Sequence, residues 1–359
     1  MTPLHISGTG SASYADPYYV RIAKDSVAAS RHSHLDIQGL AQAPVLIFNP
    51  NSGQKLGMST NAGSAEEAQR ALRAAGIPFD PWPTERAGHA TELAQAAVAD
   101  RRPLVIAAGG DGTAGEVAQA LAGTDVILAI MPLGSIMNLA RTLCIPRDLT
   151  EAARVIAGGQ VLAMDLGKVG DVYFLEAAGV GLDAGLFGYF EQLESKGLRK
   201  NVLRAALRFM RGLGTPRLTV HVDDRVHQTR APMVAVANGP FVGAAYALAP
   251  EARIDDGLLD VVIFHGASVP RMLFHLIAVA GGRRLSIPPE AEVLRARSVR
   301  IASRRRRRTL PVHADGAAIG ATPMSFEVVP AALRVLVGSA DAGAACAWGP
   351  PAVPLLEPR

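Results

Sequence analysis

Gly109-Gly110-Asp111-Gly112-Thr113 stands between a short apolar run, Leu104 to Ala108, and a segment with helical spacing over about 114–122. Glycines let the backbone turn sharply and approach a ligand closely. A helix start adds unpaired N–H groups and the positive end of the helix dipole, and together these make a phosphate site. Asp111 sharpens that reading. A carboxylate inside such a loop repels a polyanion unless a cation stands between them, which points to phosphate handled with Mg2+. Phosphoryl transfer is mostly positioning and charge neutralisation, so these parts suit it. Gly110-x-Gly112-x-x-Gly115 also matches the dinucleotide fingerprint formally, but that motif needs an acidic residue about 20 positions on to hold a ribose. The strand in question, Val126 to Met131, runs instead into Pro132-Leu133-Gly134 with no carboxylate, and no GxxxxGK[ST] string occurs.

The elements that must position this loop read as an α/β alternation from Pro44 onward. Val45 to Phe48 is a buried strand that stops at the turn-forming Asn49-Pro50-Asn51-Ser52-Gly53. Residues 64–75 have helical spacing, a Ser64 cap and Gly76 as terminator, and 89–99 form a second helix. Strands alternating with helices imply a parallel, doubly wound sheet. Near residue 160 the texture changes to short β-like segments at 172–177, 217–223, 232–237, 258–264, 298–302, 309–313 and 333–337. These predict a second, mostly antiparallel β domain, interrupted by helical segments at about 196–213 and 268–281. The expected division is a flexible extension over 1–43, an α/β domain over 44–161 completed by a segment near 328–341, a β-sandwich over 162–327, and a Gly/Pro-rich tail over 342–359.

Bulk composition bounds the function. Of 359 residues 49% are apolar and 19% charged, enough for two cores and too little charge for wholesale disorder. No apolar stretch reaches the roughly 20 residues of a spanning helix, and with no apolar core in residues 1–40 a signal peptide is not expected there. Cys144 and Cys346 make no disulfide framework, so reduced cysteines and a cytoplasmic setting are expected. The nine histidines show no metal-ligand spacing.

The ordered motifs resemble the catalytic domain shared by diacylglycerol kinases, sphingosine kinases and bacterial lipid kinases of the YegS type. Besides NPNSG and GGDGT, Thr84-x-x-x-Gly88-His89-Ala90 is similar to the family's nucleotide segment. Pro132 to Asn138 resembles P-x-G-T-x-N with Ser135 in place of Thr, and Ala178 to Ala184 resembles the G-x-D-A strand end that includes Asp183. Pro250 to Asp260 resembles P-x-A-x-x-x-DG-x-LD. The resemblance spans roughly residues 44–338; GGDGT alone is shared with NAD kinases, whereas the ordered set is specific. It implies an NAD-kinase-like α/β domain plus a β-sandwich, and transfer of the γ-phosphate of ATP to a lipid hydroxyl. It also implies that Asn49, Pro50, Asn51, Ser52, Gly53, Thr84, Gly110, Asp111, Gly112, Thr113, Ala114, Gly115, Glu116 and Ser135 line the ATP site. Asp256, with the backbone carbonyls of Arg253 and Leu258, would bind a structural Mg2+. That set suits an ion that often takes few protein carboxylates plus water; a plain Asp-Gly hairpin is the alternative.

One departure bears on catalysis. The family turns through DGE, whose Glu is thought to take the proton from the lipid hydroxyl, but here Asp315-Gly316 is followed by Ala317. Three readings compete: Asp315 serves as the base, the base lies elsewhere or is little needed, or the protein binds nucleotide or lipid with weak turnover. Glu176 and Asp183 stand at strand ends facing the expected cleft, and His313 lies near its substrate end.

Basic residues cluster in two places. Lys200, Arg204, Arg208 and Arg211 share one face of the helix predicted over 196–213, and Arg304 to Arg308 form a run expected in a hairpin loop. Both suit an anionic bilayer surface, and either could equally be a solvated face. Nucleic acid is not expected, because aromatic or helical readout is missing. The expected partners are a lipid substrate and an anionic membrane met peripherally at its inner surface; a homodimer is compatible with a sequence that leaves oligomeric state open. An NAD-type kinase with a soluble substrate and a non-catalytic sensor are the competing classes.

Overall fold

The computed structural model describes residues 21–22, 25, 32–50, 54–55, 58–59, 63–134, 137–181, 215–243, 246–265, 291–305 and 309–338. The strands Val45–Phe48, Leu104–Gly109 and Ile127–Pro132 pair in parallel, Val45 beside Val105 and Leu104 beside Ile127. All their residues except Phe48 are buried, as in a parallel sheet covered on both faces. Asp80–Pro83 adds a parallel edge strand next to Val45–Phe48. Five helices alternate with these strands: α1 (Ala65–Ala74), α2 (His89–Ala99), α3 (Asp111–Leu121), α4 (Asn138–Thr142) and α5 (Leu149–Ala157). Helix α1 starts at a capping box, in which the Glu67 N–H donates to Ser64 Oγ at 3.2 Å and the Ser64 N–H donates to Glu67 Oε2 at 2.8 Å. Gly76, with φ of 71°, ends it as expected.

The expected β-sandwich is present, but it shares a sheet with the α/β region. One strand, Met324–Leu336, makes the join. Its first residues pair antiparallel with Ser298–Ile301, Gln160–Val169 flanks it over much of its length, and Arg334–Val335 pairs in parallel with Ile127–Leu128. The expected completion of the α/β domain near 328–341 is therefore a direct strand pairing. The resulting eleven-stranded sheet has Arg225–Arg230 at one end of its main strand order and Asp80–Pro83 at the other. A six-stranded antiparallel sheet faces part of it, in the order Ala291–Ala296, Leu259–Phe264, Met233–Ala237, Ala177–Gly181, Pro311–Ala314, Ala317–Ala321. One core gathers Leu46, Ile106, Leu128 and Leu333; the second joins the two sheets through Val220, Ile301 and Phe326 on one side and Val236 and Val262 on the other.

Four expectations change. Part of the predicted extension packs: His32–His34 pairs antiparallel with Gln160–Leu162, and Ile37 is buried. The arginine run does not close a hairpin, because Ser298–Ser303 belongs to the large sheet and Pro311–Ala314 to the small one; Arg306 to Arg308 lie outside the described residues. Asp256-Gly257 is no hairpin either, since Leu259–Phe264 pairs with Met233–Ala237 and Ala291–Ala296 rather than with the chain just before the turn. Cys144 is buried and disulfide-bonded rather than reduced. Sequence separation hid this: the Gly338 N–H donates to the Leu143 carbonyl at 2.9 Å, which brings the distant C-terminal segment alongside Cys144.

Candidate active site

The glycine loop sits where a parallel strand gives way to a helix. Gly110 is the N-cap of α3, with φ of −89° and ψ of −176°, and Asp111 is its first residue. Gly134, on the loop after the Ile127–Pro132 strand, packs against it so closely that a Cβ on Gly134 would stand 2.8 Å from the Gly110 Cα. Only glycine permits that approach of two backbones. Glu116, one turn along α3, fastens the Thr84-to-Ala90 segment beside the loop: its Oε1 accepts from the Gly88 N–H at 2.9 Å and its Oε2 from the Ala90 N–H at 3.1 Å. These bonds satisfy free amides at the start of α2, where Gly88 itself supplies no side-chain cap. Thr84 is anchored by its N–H to the Phe48 carbonyl at 2.8 Å. The structure thus brings Asn49, Thr84, Gly110, Asp111 and Glu116 to one end of the parallel sheet; Asn51, Ser52, Gly53, Ser135 and Asp183 lie outside the described residues.

Asp111 points across to α4, where its Oδ1 accepts from the Leu139 N–H at 3.4 Å. Burial pushes its pKa up to about 6, while the amides of Leu139, Asn138 and Met137 pull the other way and the charge of Asp315 adds to the rise. Two further carboxylates reach the same cleft from the sandwich. The cleft, about 180 Å³, is lined among others by Asp111, Asn138, Glu176, His313 and Asp315. A wider depression of about 620 Å³ touches Arg21, Asp25 and Arg253 but none of these groups.

Asp315 is exposed as a residue, yet its carboxylate is occupied. Oδ2 accepts from the Leu175 N–H at 2.7 Å, and Oδ1 from the N–H groups of Glu176 at 2.9 Å and Ala177 at 3.0 Å. Burial raises its pKa, and those three amides together with His313 oppose the rise. Asp315 adopts φ of 45° to reach them. It therefore acts as a clamp on the strand entrance, which does not favour the expectation that it is the free proton acceptor. Glu176 stands opposite. The amide side chain of Asn138 donates from Nδ2 to its Oε2 at 2.8 Å and to the Gly243 carbonyl at 2.9 Å. Burial drives the Glu176 pKa well above the ordinary carboxylate value, and the nearby charges of Asp111 and Asp315 drive it further.

The turn at Asp256 is held from below by Asp165, a buried residue that sequence reasoning missed. Its Oδ2 accepts from the Gly257 N–H at 2.6 Å and its Oδ1 from the Ala331 N–H at 2.7 Å. Asp256 Oδ1 accepts from the Leu258 N–H at 3.1 Å, closing an Asx turn, while among the described residues Oδ2 is buried with no hydrogen bond. The Arg295 guanidinium lies 3.5 Å from that oxygen. That oxygen is therefore ion-paired though not hydrogen-bonded, and a divalent cation at this turn would have to displace the guanidinium. Among the described residues, no group of three or more His, Cys, Asp or Glu side chains is arranged to hold a metal ion, and no helix is long and apolar enough to cross a membrane.

Comparison with known proteins agrees with this architecture. Residues 43–169 match the model of the diacylglycerol kinase catalytic domain, and residues 178–337 match that of the YegS C-terminal NAD kinase beta sandwich-like domain. A diacylglycerol kinase of Bacillus subtilis is 30% identical over 237 residues, covering 64% of this chain and 75% of the relative. One of Staphylococcus epidermidis is 27% identical over 291 residues, covering 78% of this chain and 87% of the relative. The crystal structure of a diacylglycerol kinase from Bacillus anthracis shares the fold at a TM-score of 0.63 and 23% identity, covering 83% of this chain and 97% of that one.

Proposed function

The chain belongs to the diacylglycerol kinase catalytic-domain family, and on that premise we propose that it transfers the γ-phosphate of ATP to the hydroxyl of a diacylglycerol-like lipid. The observation that carries the reading is the cleft itself: a glycine cradle at a helix start opens beside Asp111, with further carboxylates on the opposite wall. The α3 amides and Gly110 to Gly112 would receive phosphate oxygens, while Asn49 and Thr84 would border the remainder of the nucleotide. Glu116 positions rather than reacts, since both its oxygens are occupied by amides. Mg2+, when bound, neutralises the phosphate charge that Asp111 would otherwise repel. The resemblance also implies a second ion at Asp256 and the carbonyls of Arg253 and Leu258, where it would displace the Arg295 guanidinium and rigidify the sandwich rather than take part in chemistry. At about 180 Å³ among the described residues, the cleft is too small for acyl chains, so the lipid tail would extend beyond it.

Incubation with ATP, Mg2+ and a mixed lipid extract, followed by mass detection, tests this. New phosphorylated lipids are expected; transfer to NAD alone, or to nothing, would defeat the proposal. Peripheral contact with an anionic membrane through the basic residues is part of the same proposal, tested by vesicle sedimentation that weakens steeply with salt.

A further inference from the structure

We infer that Glu176 is the proton acceptor for the lipid hydroxyl, in the place left without a carboxylate by Ala317. This rests on the kinase reading above and adds a residue to it. Three acidic side chains line the cleft, and two are already engaged. Asp111 faces the amides of α4 next to the glycine loop, on the nucleotide side. Asp315 holds three backbone N–H groups. Glu176 uses one oxygen, Oε2, to accept from Asn138, and among the described residues no donor meets Oε1. Asn138 is 2% exposed and lines the same cleft, and its own Oδ1 is buried with no hydrogen bond. Two unsatisfied acceptors in one polar cleft are complementary to a donor, which an alcohol O–H provides.

Glu176 is also rigid. Its N–H is held by Asp315, and its carbonyl accepts from the N–H groups of Asn238 at 2.9 Å and Gly239 at 3.1 Å. A carboxylate fixed at its backbone and at one oxygen is prepared to present the other. The surroundings that raise its pKa also make it a stronger base than a solvated carboxylate.

The step balances without an additional reactant. The lipid oxygen forms a bond to the γ-phosphorus and the bond from that phosphorus to the bridging oxygen breaks. ADP leaves with the electron pair, and the hydroxyl proton passes to Glu176 Oε1.

Glu176→Gln tests it, because glutamine keeps the shape and an oxygen for Asn138 while losing the basicity. A fall in kcat of at least about 100-fold is expected, with ATP affinity by calorimetry and the thermal midpoint unchanged. Turnover within about threefold of the native enzyme would overturn the assignment. So would a tenfold loss of Mg-ATP affinity, which would make Glu176 a nucleotide or metal ligand. Should the glutamine variant fold poorly, Glu176→Asp decides: it keeps a proton acceptor one methylene back, so turnover between the native and catalytically silent levels is expected, and full native turnover would count against the assignment. If the native chain phosphorylates no lipid, the kinase reading fails first; if it does and both variants match it, only this inference fails.

Discussion

Replacing Asp315 by asparagine separates a clamp from a base. The native carboxylate accepts three backbone N–H bonds at 2.7, 2.9 and 3.0 Å. Asparagine can orient its carbonyl oxygen to keep the Glu176 and Ala177 bonds, but its amide group then meets the Leu175 N–H donor to donor. One charge-assisted bond, worth about 1.5–3 kcal/mol, is lost, and the other two become neutral and weaker. Leu175 is buried, so its N–H is left without an acceptor or ready access to water, and a net loss of about 2–3 kcal/mol follows. Asparagine tolerates the φ of 45° at this position, so backbone strain adds little. Urea unfolding should show an earlier midpoint at unchanged slope. Lipid phosphorylation under folded conditions should retain kcat within about tenfold, far less than the loss expected on removal of a general base. An unchanged midpoint with kcat reduced about 1,000-fold would refute the clamp and return the base to Asp315.

Three further outcomes follow from the same geometry. Gly134→Ala would place a Cβ 2.8 Å from the Gly110 Cα, so the loops must part and ATP affinity should fall at least tenfold in a calorimetric titration. Asp165→Ala takes the acceptor from the amides of Gly257 and Ala331 in a part-buried site, and chemical denaturation should register a loss of about 1–3 kcal/mol. Burial lifts Asp111 and Asp260 from an ordinary 3.8 to about 6, so the folded state holds these protons more tightly than the unfolded chain. Their contribution to stability is greatest below pH 3.8 and is lost as pH rises to about 6; in metal-free protein Asp111→Asn should flatten the fall in stability measured across that window.

The parts of the fold that the sequence revealed are those with local signatures. Val45–Phe48, Leu104–Gly109 and Ile127–Pro132 are apolar runs with glycine or proline at or soon after their ends, and Ser64 with Glu67 announces α1. Strands lacking such signatures were missed. Asp80–Pro83 carries two prolines, tolerated only because it is an edge, and Arg225–Arg230 is polar because it too ends the sheet. The site divides the same way. The glycine loop is legible because its conformational demands act within a few residues. The clamp of Asp315 on Glu176 spans 139 positions and the bond from Asn138 to Glu176 spans 38, so their pairing exists only in the fold. Asp165 left no local trace for the same reason, with partners 92 and 166 residues away.

A carboxylate-lined cleft beside a glycine cradle should accept a polyphosphate only with a divalent cation in company. Titrating ATP into the native protein by calorimetry, once with Mg2+ and once with a chelator, tests this most directly. Binding at least tenfold tighter with Mg2+ is the predicted result; equal affinity in both, or no binding in either, would contradict it.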